Sequence, residues 1–202
     1  ILKAQIETSN VSFSDVKSVG IGVPGPVLNN RIVKFWANFP WKNGVDLALE
    51  FEKNLGIPVK ADNDVNVITL GEMWQGAGQG YKNVLGLAIG TGIGGGIIVD
   101  GKLISGLNGA GGEVGHIKIE HNGKLCGCGQ KGCWEAYASA TGIIREAQSR
   151  LAVNKQNLLY KMTKGRDLEA KDVFDAAKQG DKFSLGIVDY EAEKLALGIG
   201  NL

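Results

Sequence analysis

The 202-residue sequence predicts an α/β protein of two domains. Three observations carry that expectation. Short β-branched and apolar runs alternate with amphipathic ones in both halves of the chain. Glycines and Asn/Asp residues punctuate the junctions between them. The length suits one large or two small domains. A cleft between two such domains is the natural place for a site.

The elements follow in order. "VKSVGIGVPGPVLNNRIV" reads as a strand ending in a Pro-Gly-Pro turn, and "FWANFPW" as a loop. Apolar Leu47, Leu49, Phe51 and Leu55 place a helix over 45–55, with Gly56 set to cap it. "IPVKADND" is a short strand running into a polar turn, and 65–75 an amphipathic helix. "GQGYKN" is the expected boundary between a first domain over 1–75 and a second over 76–202. "VLGLAI", "GGIIV" and "KLI" then read as three strands, the last two joined by a two-residue Asp100-Gly101 hairpin. "HIKIEHNGKL" predicts another strand and an Asn-Gly turn. Beyond Trp134 the pattern is helical: 134–152, 157–163, 171–179 with Gly180 at its end, and 182–197.

Composition narrows the function. Hydrophobics at 44% and charged residues at 21% are ordinary for a globular domain. A net charge of +1 gives no electrostatic case for nucleic acid, an acidic partner or an anionic membrane. No apolar run approaches the roughly 18 residues of a transmembrane helix. Nothing marks a secreted disulfide framework, so a reducing cytoplasm is the expected compartment.

Three constellations carry chemistry. Gly90-Thr91-Gly92 and Gly94-Gly95-Gly96 interrupt two apolar strands. Such a turn can cradle phosphate oxygens on uncovered N–H groups, or can be a hairpin that needs positive φ. It is neither a Walker loop, lacking Gly-Lys-Ser/Thr, nor a dinucleotide fingerprint, since a strand follows it. "ADNDVNV" puts Asn63 and Asp64 where a strand hands over to a helix. A carboxylate there can take a hydroxyl proton, and the same place equally favours an N-cap. Asp62 crowds a second carboxylate nearby and needs its own reason to be there. "LCGCGQKGCWE" holds all three cysteines, Cys126, Cys128 and Cys133. A Cys126–Cys128 disulfide would close a small strained ring, and the redox spacing C-x-x-C is absent. Three thiolates and one imidazole complete a tetrahedral structural zinc site. Of the two histidines, His116 is favoured over His121.

"GEVGHIKIE…CGCGQKGCWE" resembles the signature of the ROK family (repressors, open reading frames and sugar kinases), with its C-x-C-G-x-x-G-C-x-E motif. "ADNDVNVITLGE" is similar to the family's catalytic segment, "IGTGIGGGII" to its second phosphate loop, and "GVPGPV" and "ANFPW" to its substrate-side loops. Within the family the likeness is to bacterial and archaeal ATP-dependent glucokinases. The resemblance implies an actin-like (ribonuclease H-like) ATPase fold, represented by part of the first domain and most of the second. It implies phosphorylation of a hexose 6-hydroxyl, most simply glucose, by ATP with Mg²⁺. Asp64 is then the general base. Gly25, Asn38, Asn63, Asp64, Glu113, His116 and Glu135 hold the sugar. Gly90, Thr91, Gly92, Gly94 and Gly95 contact ATP phosphates, and His116, Cys126, Cys128 and Cys133 bind structural Zn²⁺. The family pattern also has an N-terminal D-x-G-G-T phosphate loop and a C-terminal adenosine segment that this sequence lacks. The 202 residues alone are therefore expected to be inactive. The resemblance further implies homodimers or homotetramers. It leaves open a sugar-responsive repressor, and kinases for fructose, mannose, N-acetylmannosamine, N-acetylglucosamine or allose. A zinc-stabilised binding module without chemistry is the remaining alternative.

Overall fold

The computed structural model describes residues 4, 6, 8, 9, 11–35 and 40–202. They fall into two compact units, Ile1–Gly86 with Gly96–Gly112, and Leu87–Gly95 with Glu113–Leu202. The stretch from residue 76, expected to open a second domain, is shared between them. No helix among the described residues is long and apolar enough to cross a membrane.

In the first unit, β1 (Val19–Val23) pairs in parallel with β5 (Val59–Asn63), Val19 opposite Val59 and Val23 opposite Asn63. β2 (Val27–Leu28), β3 (Ile32–Val33) and β4 (Val45–Asp46) form an antiparallel sheet in that order. α1 (Leu47–Leu55) starts at Asp46, whose carboxylate accepts from Leu49 N at 2.8 Å. It ends at Gly56, left-handed at φ 70, where a side chain would be strained. α2 (Asp64–Gln75) follows β5 without a linker. Val23, Val27, Val33 and Ala61 form the core here.

β6 (Val84–Ile89), β7 (Ile93–Val99) and β8 (Lys102–Leu103) form a second sheet in chain order. Asp100 (φ 50) and Gly101 (φ 75) make the anticipated two-residue turn, with Val99 opposite Lys102. Gly94–Gly96 lie inside β7 rather than in a turn. Gly96 is there for space, like Gly86 in β6: a Cβ at either would collide with Thr69 of α2.

The second unit is helical, with α3 (Glu135–Ala138), α4 (Ala140–Val153), α5 (Leu158–Thr163), α6 (Ala170–Lys178) and α7 (Lys182–Ile199). The single helix expected over 134–152 is therefore two. Ser139 is extended (φ −106, ψ 168), and its side chain caps α4 by accepting from Gly142 N. Ile143, Ala147, Leu159, Val173, Ala176 and Ile187 pack the four longer elements into one core. The strand expected in "HIKIEHNGKL" does not form. Val114–His116 is a 3-10 turn, and Lys118 makes an isolated bridge to Cys133. The cysteine loop folds back so tightly that it offers no longer edge for pairing.

Candidate functional site

The first unit gathers Gly25, Asn63 and Asp64. Asn63 ends β5 and is the N-cap of α2: its Oδ1 accepts from Val65 N (2.9 Å) and Asn66 N (3.2 Å). Its Nδ2 donates to the carbonyl of Gly25 at 3.3 Å, tying the helix start to the Pro-Gly-Pro turn, where Gly25 has φ 103. The Asn63 side chain thus performs the capping role and fixes Asp64 as the first helical residue. Asp64 is exposed, and its Oδ1 accepts from Val65 N at 2.9 Å. On β1, Gly22 lies beside it: a Cβ there would stand 3.4 Å from Asp64 Cα, an ordinary contact.

Asp62 answers a different need. It is 8% exposed. Its Oδ2 accepts from Asn30 Nδ2 (2.7 Å), and its Oδ1 from Asn63 N (2.7 Å) and Asn66 Nδ2 (2.9 Å). Two carboxylates two residues apart have separate duties: one buried and saturated with donors, one at the surface. The sequence alone carries no mark that separates them, because the partner Asn30 is 32 residues away. Asn38 lies outside the described residues.

The second unit gathers the rest. His116 Nδ1, Cys126 Sγ, Cys128 Sγ and Cys133 Sγ all lie within 4.8 Å of one another. His121 is not among the four. Cys128 Sγ to Cys133 Sγ is 3.7 Å, as is Cys126 Sγ to His116 Nδ1. A tetrahedron of metal–sulfur bonds of about 2.3 Å has edges of about 3.8 Å, so these two pairs already stand at the spacing of a four-coordinate metal. Burial pushes the Cys126 thiol up to about 12. Burial also acts upward on Cys128, but hydrogen bonds from Gln130, Cys126 and Cys133 and the charge of Lys118 outweigh it, and the net shift is down. Lys118 Nζ stands 3.1 Å from Cys133 Sγ. His116 Nε2 points the other way, 3.8 Å from Glu113 Oε2, which holds the ring with Nδ1 toward the cluster.

Trp134, fully buried, anchors the end of the cysteine loop. Its Nε1 donates to the Lys194 carbonyl of α7 at 3.0 Å, and Gly198 admits the indole against the helix backbone. Glu135 follows. Its Oε2 accepts from Ile93 N at 3.0 Å, and its Oε1 is 3.7 Å from Cys126 Sγ. Gly90–Gly92 form the turn between β6 and β7, with Gly90 and Thr91 exposed. Neither Gly90 nor Gly92 has positive φ, so backbone strain does not explain them. A Cβ at Gly92 would push the end of the Glu135 side chain aside, whereas a Cβ at Gly90 would face open space.

The mixed α/β architecture, shared with solved sugar kinases, places the chain among proteins of the actin-like ATPase fold. It belongs to the ROK family, whose pattern matches residues 2–202. It is 44% identical over 183 residues to a glucokinase of Thermotoga maritima, spanning 90% of this chain and 58% of that protein. A ROK family glucokinase of Streptomyces griseus, solved with glucose and AMPPNP, superposes with a TM-score of 0.82 at 36% identity, over 99% of this chain and 65% of that one. A ROK family transcriptional regulator, a homolog of the E. coli MLC protein, also reaches 0.82, at 29% identity over 98% and 49% of the two chains. The chain thus spans about three fifths of the length of the glucokinases it matches.

Proposed function

We propose that this chain carries the sugar-side machinery of a cytoplasmic ATP-dependent hexose kinase, with glucose as the acceptor. The observation that supports it best is Asp64, exposed and fixed at the start of α2 by the Asn63 cap. In this reading Asp64 takes the proton of the sugar 6-hydroxyl as that oxygen attacks the γ-phosphorus of ATP. The bond to the β–γ bridging oxygen breaks, and ADP leaves. Mg²⁺ on the phosphate oxygens supplies charge neutralisation. The backbone of Gly90–Gly92, with the Thr91 hydroxyl and Gly94 and Gly95 behind, receives the phosphates. Gly25, Asn38, Asn63, Glu113, His116 and Glu135 hold the remaining sugar hydroxyls, each polar side chain able to make more than one hydrogen bond.

The cluster is read as a structural Zn²⁺ site of His116, Cys126, Cys128 and Cys133. Three thiolates and an imidazole leave no open position, so the metal holds structure and does no chemistry. A metal held there would keep Cys126 as a thiolate, which could not donate to Glu135 and would leave Oε1 for a substrate hydroxyl. The kinase is further read as a homodimer or homotetramer.

The test is a hexose panel with coupled ADP detection, run on the protein expressed from its complete gene. Glucose should be the preferred acceptor, and Asp64→Asn should lose turnover by at least about a thousandfold while keeping glucose affinity. Near-normal turnover in Asp64→Asn removes Asp64 as the base. A second reading, a sugar-responsive repressor, draws on the equal fit to the transcriptional regulator. Glucose binding without any ADP release by the wild type would favour it.

A further inference from the structure

Within the second unit the glycine-rich turn is gripped by residues next to the metal donors and by the start of α4. Ile93, the first residue after the turn, is buried, and both sides of its backbone are engaged. Its N–H donates to Glu135 Oε2, two residues beyond Cys133. Its carbonyl lies so close to Gly115, the neighbour of His116, that a Cβ there would collide with it. The turn's own carbonyls are held in the same way. Gly90 O accepts from Ala140 N and Thr91 O from Thr141 Oγ1, each at 2.8 Å, at the start of α4. Trp134 keeps this segment from shifting, because its indole is fixed on the backbone of α7. The turn, which Gly90 N–H closes on Gly92 O at 2.9 Å, is thus held between the start of α4 and the segments that carry two of the four donors.

We propose that Glu135 is the positioning residue through which the Cys₃His cluster sets the glycine-rich turn, so that metal occupancy governs affinity for a nucleotide polyphosphate. Oε2 acts as a fixed acceptor for Ile93. That carboxylate passes directly over Gly92, where a Cβ would displace it. When the metal leaves, the cysteine loop loosens, Cys133 and His116 no longer fix their neighbours, and the Ile93 clamp opens. The phosphate and metal assignments come from the proposed function, but the clamp is a property of this unit alone.

The experiment, on the protein expressed from its complete gene, follows amide hydrogen exchange at Ile93 and, separately, MgAMPPNP affinity without sugar. Wild type with zinc, wild type stripped by a chelator, Glu135→Ala and Glu135→Gln are compared. Exchange at Ile93 should quicken at least about tenfold on stripping and in Glu135→Ala, while amides of α6 stay protected. Stripping Glu135→Ala should add little. Glu135→Gln should restore protection, because its amide oxygen still accepts from Ile93. MgAMPPNP affinity should fall about tenfold wherever protection falls. Should Glu135→Ala not fold, Gly92→Ala displaces the carboxylate without changing it and should quicken Ile93 in the same way. Unchanged exchange at Ile93, or changed exchange with MgAMPPNP bound equally by all forms, overturns the coupling. Changed exchange with no MgAMPPNP binding to any form keeps the clamp and instead overturns the kinase reading.

Discussion

Replacing Asp62 by Ala should cost about 3–5 kcal/mol of stability, while Asp64→Asn, two residues on, should cost almost none. Asp62 is buried and its two oxygens accept from three donors, Asn30 Nδ2, Asn63 N and Asn66 Nδ2. A hydrogen bond to a charged acceptor contributes about 1.5–3 kcal/mol net. The three share one carboxylate, and Asn30 is exposed, so they do not sum in full. Asn66, 2% exposed, fares worst. Its Oδ1 already lacks a partner among the described residues, and the substitution leaves its amide N–H groups unpaired as well. At roughly 2–4 °C per kcal/mol for a chain of this size, Tm should fall by about 10 °C. Asp64 is at the surface, where a carboxylate-to-amide change stays within about 0.5 kcal/mol. Thermal unfolding by circular dichroism of both variants decides the matter. Asp62→Ala within 2 °C of wild type, or Asp64→Asn destabilised as much, would refute the division of labour between the two carboxylates.

Glu191→Gln should stabilise the protein above neutral pH. Burial pushes the Glu191 carboxyl from 4.5 to about 7 against the pull of Lys124, with Glu146 adding to the rise, and its Oε2 has no partner among the described residues. Below 4.5 the group is protonated folded and unfolded alike, so it costs nothing; the cost grows between 4.5 and 7 and is complete above. After allowance for solvent screening it is about 1–2 kcal/mol, and urea unfolding at pH 5 and pH 8 should show the gain only at the higher pH. Gly198→Ala should lose about 1–3 kcal/mol in the same assay, because the new methyl meets the Trp134 indole and overpacking outweighs the better helix propensity. Cys128→Ser should lower zinc content from one per chain to near zero, reduce Tm and weaken glucose binding about tenfold. Zinc loss with full glucose affinity would separate the metal from the sugar side.

Local signals were legible where one residue decides the geometry. Gly56 capped α1 and Asp100-Gly101 closed the β7–β8 hairpin as the sequence required. The cysteine spacing with His116 anticipated the four-donor group. What stayed hidden depended on partners distant in sequence. The break at Ser139 is invisible in a helical pattern, because a serine inside a helix and a serine capping one look alike. The strand read at 116–120 had the right alternation but no neighbouring edge longer than one bridge. The glycines of the turn read as a phosphate cradle or as a demand for positive φ, and neither Gly90 nor Gly92 has positive φ. A Cβ at Gly92 would meet a carboxylate 43 positions later, and one at Gly86 in β6 or Gly96 in β7 the side chain of Thr69. Asp62 and Asp64 differ in the same way: the contacts, not the residue type, assign their roles.

The central claim is transfer of a phosphoryl group from ATP to the 6-hydroxyl of glucose. ³¹P NMR of the protein expressed from its complete gene, with ATP, Mg²⁺ and glucose, tests it most directly. ADP and a phosphomonoester split by the two C6 protons are expected in equal amounts, with no such signal for Asp64→Asn. A phosphate on another hydroxyl, inorganic phosphate alone, or unchanged ATP would contradict it.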